Sequence, residues 1–240
     1  MPIDDEIFSD VNKICNADWN KRVGSKVPVS DDITLSNGAV EIEATYLYTD
    51  LANSSKMAKT LDRRVTAKIL KSYLAVSSRL IRHFGGRIMS FDGDRVMGGF
   101  MGNSKNTSAV QCSFAIAYAV TQLIRPKFEM KYYSVENADF KIHHATGIDQ
   151  GTVFLVRGGI YGSNELISIG RAPNLAAKLS DLREGSNTTY VTKSVYDKAS
   201  AATKRKVDGS DGIWEARTWR YCGEEISIYR SGYWRKPSLN

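Results

Sequence analysis

The chain has 240 residues, 42% of them hydrophobic, which is enough for one large domain with a substantial core, with or without a short arm. Its net charge of +7 suits triphosphates, nucleic acid or an anionic surface, but the Lys and Arg residues are spread rather than clustered. The three cysteines (Cys15, Cys112, Cys222) show no metal-like spacing and, being odd in number, argue against a disulfide framework.

A reducing compartment follows from that cysteine usage. The acidic start Met-Pro-Ile-Asp-Asp-Glu lacks a signal-peptide core. No stretch approaches the roughly 20 apolar residues of a membrane span. A soluble cytoplasmic protein with no membrane partner is therefore expected. No basic-aromatic motif of the kind found in nucleic-acid modules is present, so no nucleic-acid partner is expected either.

In chain order, residues 3–15 suit a short helix with Ile3, Ile7, Val11 and Ile14 on one side, and 16–38 are polar and turn-rich. Residues 1–38 are read as an N-terminal arm, 39–234 as the main domain and 235–240 as a tail. Residues 39–49, rich in Val, Ile, Tyr and Thr, form a strand, and Leu51-Ala52-Asn53-Ser54-Ser55 a turn into helix. Apolar residues from Met57 to Phe84 recur at helical spacing, so 56–84 is one long helix or two, stopped by Gly85-Gly86. Segments 87–91 and 95–101 form a hairpin through Asp-Gly, and 107–124 an Ala-rich helix ended by Pro126.

Segments 140–148 and 152–157 read as a second hairpin around Asp149, Gln150 and Gly151. Residues 172–182 and 194–206 are helical, 188–192 extended, and 213–220 with 225–230 the final strands. The hairpins predict an α+β fold with a mainly antiparallel sheet, helices on one face, and a ferredoxin-like palm core.

Two constellations carry chemistry. Asp50 ends the first strand and Asp94 lies in the first hairpin turn, so neighbouring strands would bring the carboxylates together. Paired carboxylates are hard-oxygen ligands suited to magnesium or manganese on a nucleoside triphosphate. The amides of Leu51, Ala52 and Asn53 lead into the next helix, where free N–H groups suit phosphates. On the helix from 172, Asn174 and Lys178 are one turn apart and project from one face, an amide and a cation suited to a ribose and a phosphate. Tyr46 and Tyr48 share a strand face with Asp50, either as core aromatics or, for Tyr48, near a bound base. Asp92 is read as a turn residue, and His83, His143 and His144 as structural.

Asp50, the run Gly85-Gly86 to Gly93-Asp94, and Ile169-Gly170 to Asn174-Leu-Ala-Ala-Lys178 resemble the three signature segments of class III nucleotidyl cyclases, over roughly 40–230. The resemblance implies that Asp50 and Asp94, with Leu51, hold two divalent ions, Mn2+ or Mg2+. It implies that Ala52 and Asn53 meet phosphates, that Asn174 orients the ribose, and that Lys178 stands where the family has a transition-state arginine. It also implies a head-to-tail homodimer, the aspartates coming from one subunit and the Asn/Lys pair from the other. A basic residue near the last hairpin, here Arg220, is expected at the terminal phosphates.

Two positions select the base in that family, and here they are Ser90 and Ile167. Neither supplies the purine-reading hydrogen bonds, and unpaired reading groups cost several kcal/mol, on the order of 10⁴ in selectivity. With Tyr48 beside the metal pair, the chain resembles the pyrimidine cyclases of bacterial Pycsar antiphage defence. The resemblance implies UTP, or next CTP, as substrate, and a cyclic product read by a downstream effector that kills or arrests the infected cell. A purine cyclase with an unusual base pocket and a non-catalytic nucleotide-binding module are the alternatives.

Overall fold

A computed structural model describes residues 2–238. Its centre is strand β2, Gly38–Ala52. Helix α1 (Ile3–Cys15) and strand β1 (Asn20–Val23) precede it. Helices α2 (Ser54–Thr60) and α3 (Arg63–His83), strands β3 (Arg87–Asp92) and β4 (Arg95–Phe100) and helix α4 (Lys105–Tyr118) follow. Then come α5 (Arg125–Lys131), α6 (Tyr133–Glu136), β5 (His143–Ile160), β6 (Ser163–Ile169) and α7 (Arg171–Ser180). The chain closes with β7 (Thr189–Thr192), α8 (Lys193–Lys198), β8 (Glu215–Tyr221) and β9 (Glu224–Ser231). The sheet order is β3-β4-β2-β5-β7-β9-β8, with β1 added to β2 and β6 to β5. Among the described residues, the β1–β2 and β5–β7 pairings are parallel and the others antiparallel.

Strand β2 is buried on both faces, so alternation alone does not mark an outside. Leu47 and Leu51 join the core under α3 and α4, with Ile69, Tyr73, Phe114 and Ile116. Val40, Ile42, Ala44 and Tyr46 face the other way, against Ala172 and Ala176 of α7. Helices therefore cover both faces, not one. The reason is visible in the alternating residues Val40, Ile42, Ala44 and Tyr46, which give the strand a second apolar face in need of cover. Helix α7 lies close on the sheet at Gly147: a Cβ there would come within 2.1 Å of the Ala176 carbonyl oxygen. Glycine is required by that approach, not by its backbone angles.

Other expectations are corrected by the sheet. Residues 143–160 form one strand, and no turn occurs at 149–151. Residues 143–156 pair with β2 without a break. Asp149 is fully buried and accepts a hydrogen bond from Thr192 at 2.6 Å. The turn falls instead at Tyr161-Gly162, where Gly162 has φ +82°, and leads into the unforeseen strand β6. Pro126 does not end its helix. A π-helical segment, Ala119–Ile124, widens the hydrogen-bond spacing, and Pro126 enters the first turn of α5 where no helical amide is needed. The joined run Lys105–Lys131 is long and apolar enough to cross a membrane by length and composition, unlike the sequence expectation. It is a core helix instead, with Phe114 and Ile116 fully buried.

The segment 56–84 resolves into α2 and α3, divided at Asp62, which caps α3 through the Arg64 amide at 2.8 Å. The polar stretch 16–38 holds more structure than its composition suggested: β1 extends the sheet, and Val27 and Ile33 are buried in the α7-side core. Helix α1, by contrast, buries none of its residues.

Candidate active site

Asp50 lies in β2 opposite Arg95 of β4 and Ala145 of β5. Strand β4 stops pairing there, so the chain beyond Asp50 is held on the β5 side alone, Leu51 against His144 and Ala52 against His143. Asn53 then takes a left-handed conformation (φ 65°) and starts α2. Leu51 and Ala52 are thus strand residues rather than the turn expected. Asp94 occupies the tight β3–β4 turn with Gly93 and directly precedes Arg95, the partner of Asp50. Because β2 and β4 are neighbours, the two carboxylates lie close enough for the Asp94 charge to act on Asp50.

Asp50 is only 4% exposed. Its pKa is pushed up to about 6, first by burial and then by the Asp94 charge, against the pull of Arg95 and Arg183. Arg183 Nη2 donates to Oδ2 at 2.5 Å. Oδ1 has an ion-pair contact with Arg95 Nε at 3.3 Å but no hydrogen bond. A buried carboxylate with an unsatisfied oxygen, beside a second acid, fits a divalent cation better than it fits a structural ion pair. Among the described residues no group of three or more His, Cys, Asp or Glu forms a closed cage. Two carboxylates completed by other oxygens suit Mg2+ or Mn2+, which keep sites for water and substrate phosphate.

Arg95 also reaches Asp181 at 3.1 Å, and Asp181 is 3.7 Å from Lys178 Nζ. A network therefore runs from Asp50 through Arg95 and Asp181 to α7. Asn174 and Lys178 share the exposed face of that helix, while Leu175, Ala176 and Leu179 are buried beneath it. Tyr48, Met97 and Ser90 are cross-strand partners in one row over β2, β4 and β3. Tyr48 is half-buried, and its hydroxyl pKa is raised by burial and then by the Asp92 charge, so the phenol stays protonated near the acids. Ser90 lines a cavity of about 370 Å³ with Val29, Phe91 and Leu166.

Two expected site residues are not brought to the others within one chain. Ile167 is 47% exposed and does not line that cavity; the β6 residues that line it are Asn164, Glu165 and Leu166. Arg220 lies on the outermost strand, paired with Glu225 at 2.8 Å, with β5, β7 and β9 between it and β2. Sequence reasoning missed Arg95, Arg183 and Asp181. Arg95 was readable, since it follows Asp94 and takes the place opposite Asp50. Arg183 was not: nothing in local spacing links it to a carboxylate 133 positions away.

Behind the site, His144 is completely buried, with neither ring nitrogen hydrogen-bonded. Its pKa lies well below the ordinary value, mainly through burial and then through His143, Arg125 and Arg183. The folded state keeps it neutral while the unfolded chain takes up a proton near pH 6.5. Its contribution to stability is thus complete above about pH 6.5 and lost below, by up to about 1.4 kcal/mol per pH unit. Asp50 has the opposite sign between about pH 4 and 6. His144→Leu should therefore gain on the parent in melting temperature as pH falls from 7.5 to 5, the Asp50 contribution cancelling in the comparison. A constant gap across that range would contradict the assignment.

The fold has counterparts among solved structures. The chain aligns with a bacterial light-regulated adenylyl cyclase at TM-score 0.67 and 20% identity, covering 84% of this chain and 54% of that one. It aligns with the guanylyl cyclase Cya2 at TM-score 0.64 and 19% identity, covering 82% and 95%. The fold is that of the class III nucleotidyl cyclases. No family model matches the sequence. A uridylate cyclase of Rhodovulum sp. (strain MB263) is 73% identical over 240 residues, 100% of both chains. A uridylate cyclase of Xanthomonas perforans is 38% identical, covering 98% of this chain and 99% of that one. The chain belongs to the uridylate cyclase family.

Proposed function

We propose that the protein converts UTP to 3′,5′-cyclic UMP and pyrophosphate. The observation that carries this reading is the 73% identity, over the full length, to a uridylate cyclase. The buried Asp50 beside Asp94 supplies the chemistry such a reaction needs. In this reading Asp50, Asp94 and the Leu51 backbone hold two divalent ions, Mg2+ or Mn2+. Bound there, the ions would lower the pKa of the ribose 3′-hydroxyl and neutralise the leaving pyrophosphate.

The chain's own groups do the rest. The 3′-oxygen bonds to the α-phosphorus as the α–β bridging bond breaks, and the hydroxyl proton leaves to solvent. Asn174 positions the ribose and Lys178 offsets charge developing on the α-phosphate, the point where fixed charges contribute most. Lysine does this as a point charge and not through a bidentate fork. Ala52, Asn53 and Arg220 bind the outer phosphates.

The base is placed by Tyr48, Ser90 and Ile167, with UTP ahead of CTP. The one row containing Tyr48 and Ser90 supports the first two, and the outward Ile167 suits a pocket closed by a second copy. The exposed Asn174–Lys178 face and the distance of Arg220 from Asp50 likewise support a homodimer with sites shared between subunits. The product serves as an alarm signal for an effector in antiphage defence. Incubation of the purified protein with UTP and Mn2+, with mass analysis, should give cyclic UMP and pyrophosphate in equal amounts. Unchanged UTP, or UMP from hydrolysis, would refute the reading.

A further inference from the structure

Arg183 is unlike the other cations around Asp50. Arg95 has a second carboxylate, Asp181, at 3.1 Å. For Arg183, Asp50 is the one carboxylate partner among the described residues; its Nη1 otherwise donates to the carbonyl oxygens of Ser180 and Leu182 at the end of α7. The Arg183 side chain is about one-third exposed, so it is neither sealed in the core nor free in solvent. The loop carrying it is anchored independently. Glu184 accepts from Arg230 at 2.6 Å, and its amide donates to the Tyr190 hydroxyl at 3.1 Å. The bond to Asp50 is therefore not what holds the backbone in place.

That geometry poses a competition. Two divalent ions on Asp50 call on both carboxylate oxygens, the open Oδ1 and the Oδ2 that Arg183 holds, and an ion and a guanidinium cannot share Oδ2 at contact distance. An arginine displaced from a buried carboxylate needs another anion, and triphosphate oxygens on the same ions are the nearest in kind. We infer that Arg183 is a switching counter-ion: it occupies Asp50 in the nucleotide-free enzyme and transfers to the triphosphate of the bound nucleotide when metal takes the carboxylate. The inference rests on the proposed role of Asp50 as metal ligand. It assigns to Arg183 a substrate-binding role and couples metal loading to nucleotide loading, so that metal alone binds weakly.

The test measures binding, not turnover. Mn2+ binding to the nucleotide-free full chain is followed by electron paramagnetic resonance for the parent, Arg183→Gln, Arg183→Lys and Asp50→Asn. Binding of 3′-deoxy-UTP, which cannot cyclise, is measured by calorimetry with Mn2+ present. Arg183→Gln should bind Mn2+ about tenfold tighter and the nucleotide about tenfold weaker, two changes of opposite sign. Arg183→Lys should lie between, and serves as the reading variant if Arg183→Gln lowers the melting temperature. A residue with only a structural role would move both affinities the same way or neither, and either result overturns the inference. If Asp50→Asn abolishes Mn2+ binding while the Arg183 variants leave it unchanged, the inference falls and the metal site stands. If Asp50→Asn leaves Mn2+ binding intact, both fall.

Discussion

Asp50→Asn and Asp94→Asn should each lower cyclisation by at least about a thousandfold while leaving a folded protein. Two features of the site separate these effects. Burial and the neighbouring Asp94 charge raise the Asp50 pKa, so the ionised side chain is held at a cost to the fold. Asparagine has the same shape and lacks that charge, so stability should change little. What it removes is the anionic oxygen that would hold a divalent ion, together with the β2 charge that Arg95 and Arg183 both contact. Asp94 stands in a turn whose geometry Gly93 already provides, with φ 59°, and the hairpin should survive its loss. Rates with saturating Mn2+, set beside melting curves, check both points. Near-parental turnover in either variant would remove the carboxylate pair from the chemistry.

Asn174→Ala should be equally silent alone and should recover activity when mixed with Asp50→Ala. Helix α7 presents Asn174 and Lys178 outward, away from its contacts with β2 and β5. Within one chain Lys178 meets Asp181, and reaches Asp50 only through Arg95. A two-fold dimer would set this face over the partner's Asp50. Each mixed dimer then has one site with both defects and one with none. Random pairing of equal amounts makes half the dimers mixed, so about a quarter of the parental specific activity should return. Native mass spectrometry establishes that mixed dimers have formed. No recovery in their presence would show that Asp50 and Asn174 do not serve a common site.

The sequence made these residues findable because they carry their signals locally. The Asp-Gly hairpin placed Asp94, and the β-rich run 39–49 placed Asp50 at its end. The i, i+4 spacing of Asn174 and Lys178 set them on one helix face, as found. The failures share a physical cause. Asp149-Gln150-Gly151 has the composition of a turn, but unbroken pairing with β2 and the Thr192 hydrogen bond hold it extended. Missing β6 followed from that error, and with it the placing of Asn164, Glu165 and Leu166, but not Ile167, along the cavity that Ser90 lines. Pro126 reads as a helix stop because the π-helical turn before it leaves no local trace. Arg183 became visible only when the sheet was assembled, since its partner is distant in the chain.

The pyrimidine preference depends on absences, Ser90 and Ile167 in place of purine-reading groups, and on the bulk of Tyr48 beside the acids. Each buried hydrogen bond left unmade by the wrong base should cost roughly 1–3 kcal/mol, or about one to two decades in rate. The most direct measurement is competition among UTP, CTP, ATP and GTP at equal concentration with Mn2+, the cyclic products being separated by mass. Cyclic UMP should dominate, with cyclic CMP the nearest competitor and both purine products at least about tenfold lower. Cyclic AMP or cyclic GMP as the main product would contradict the account.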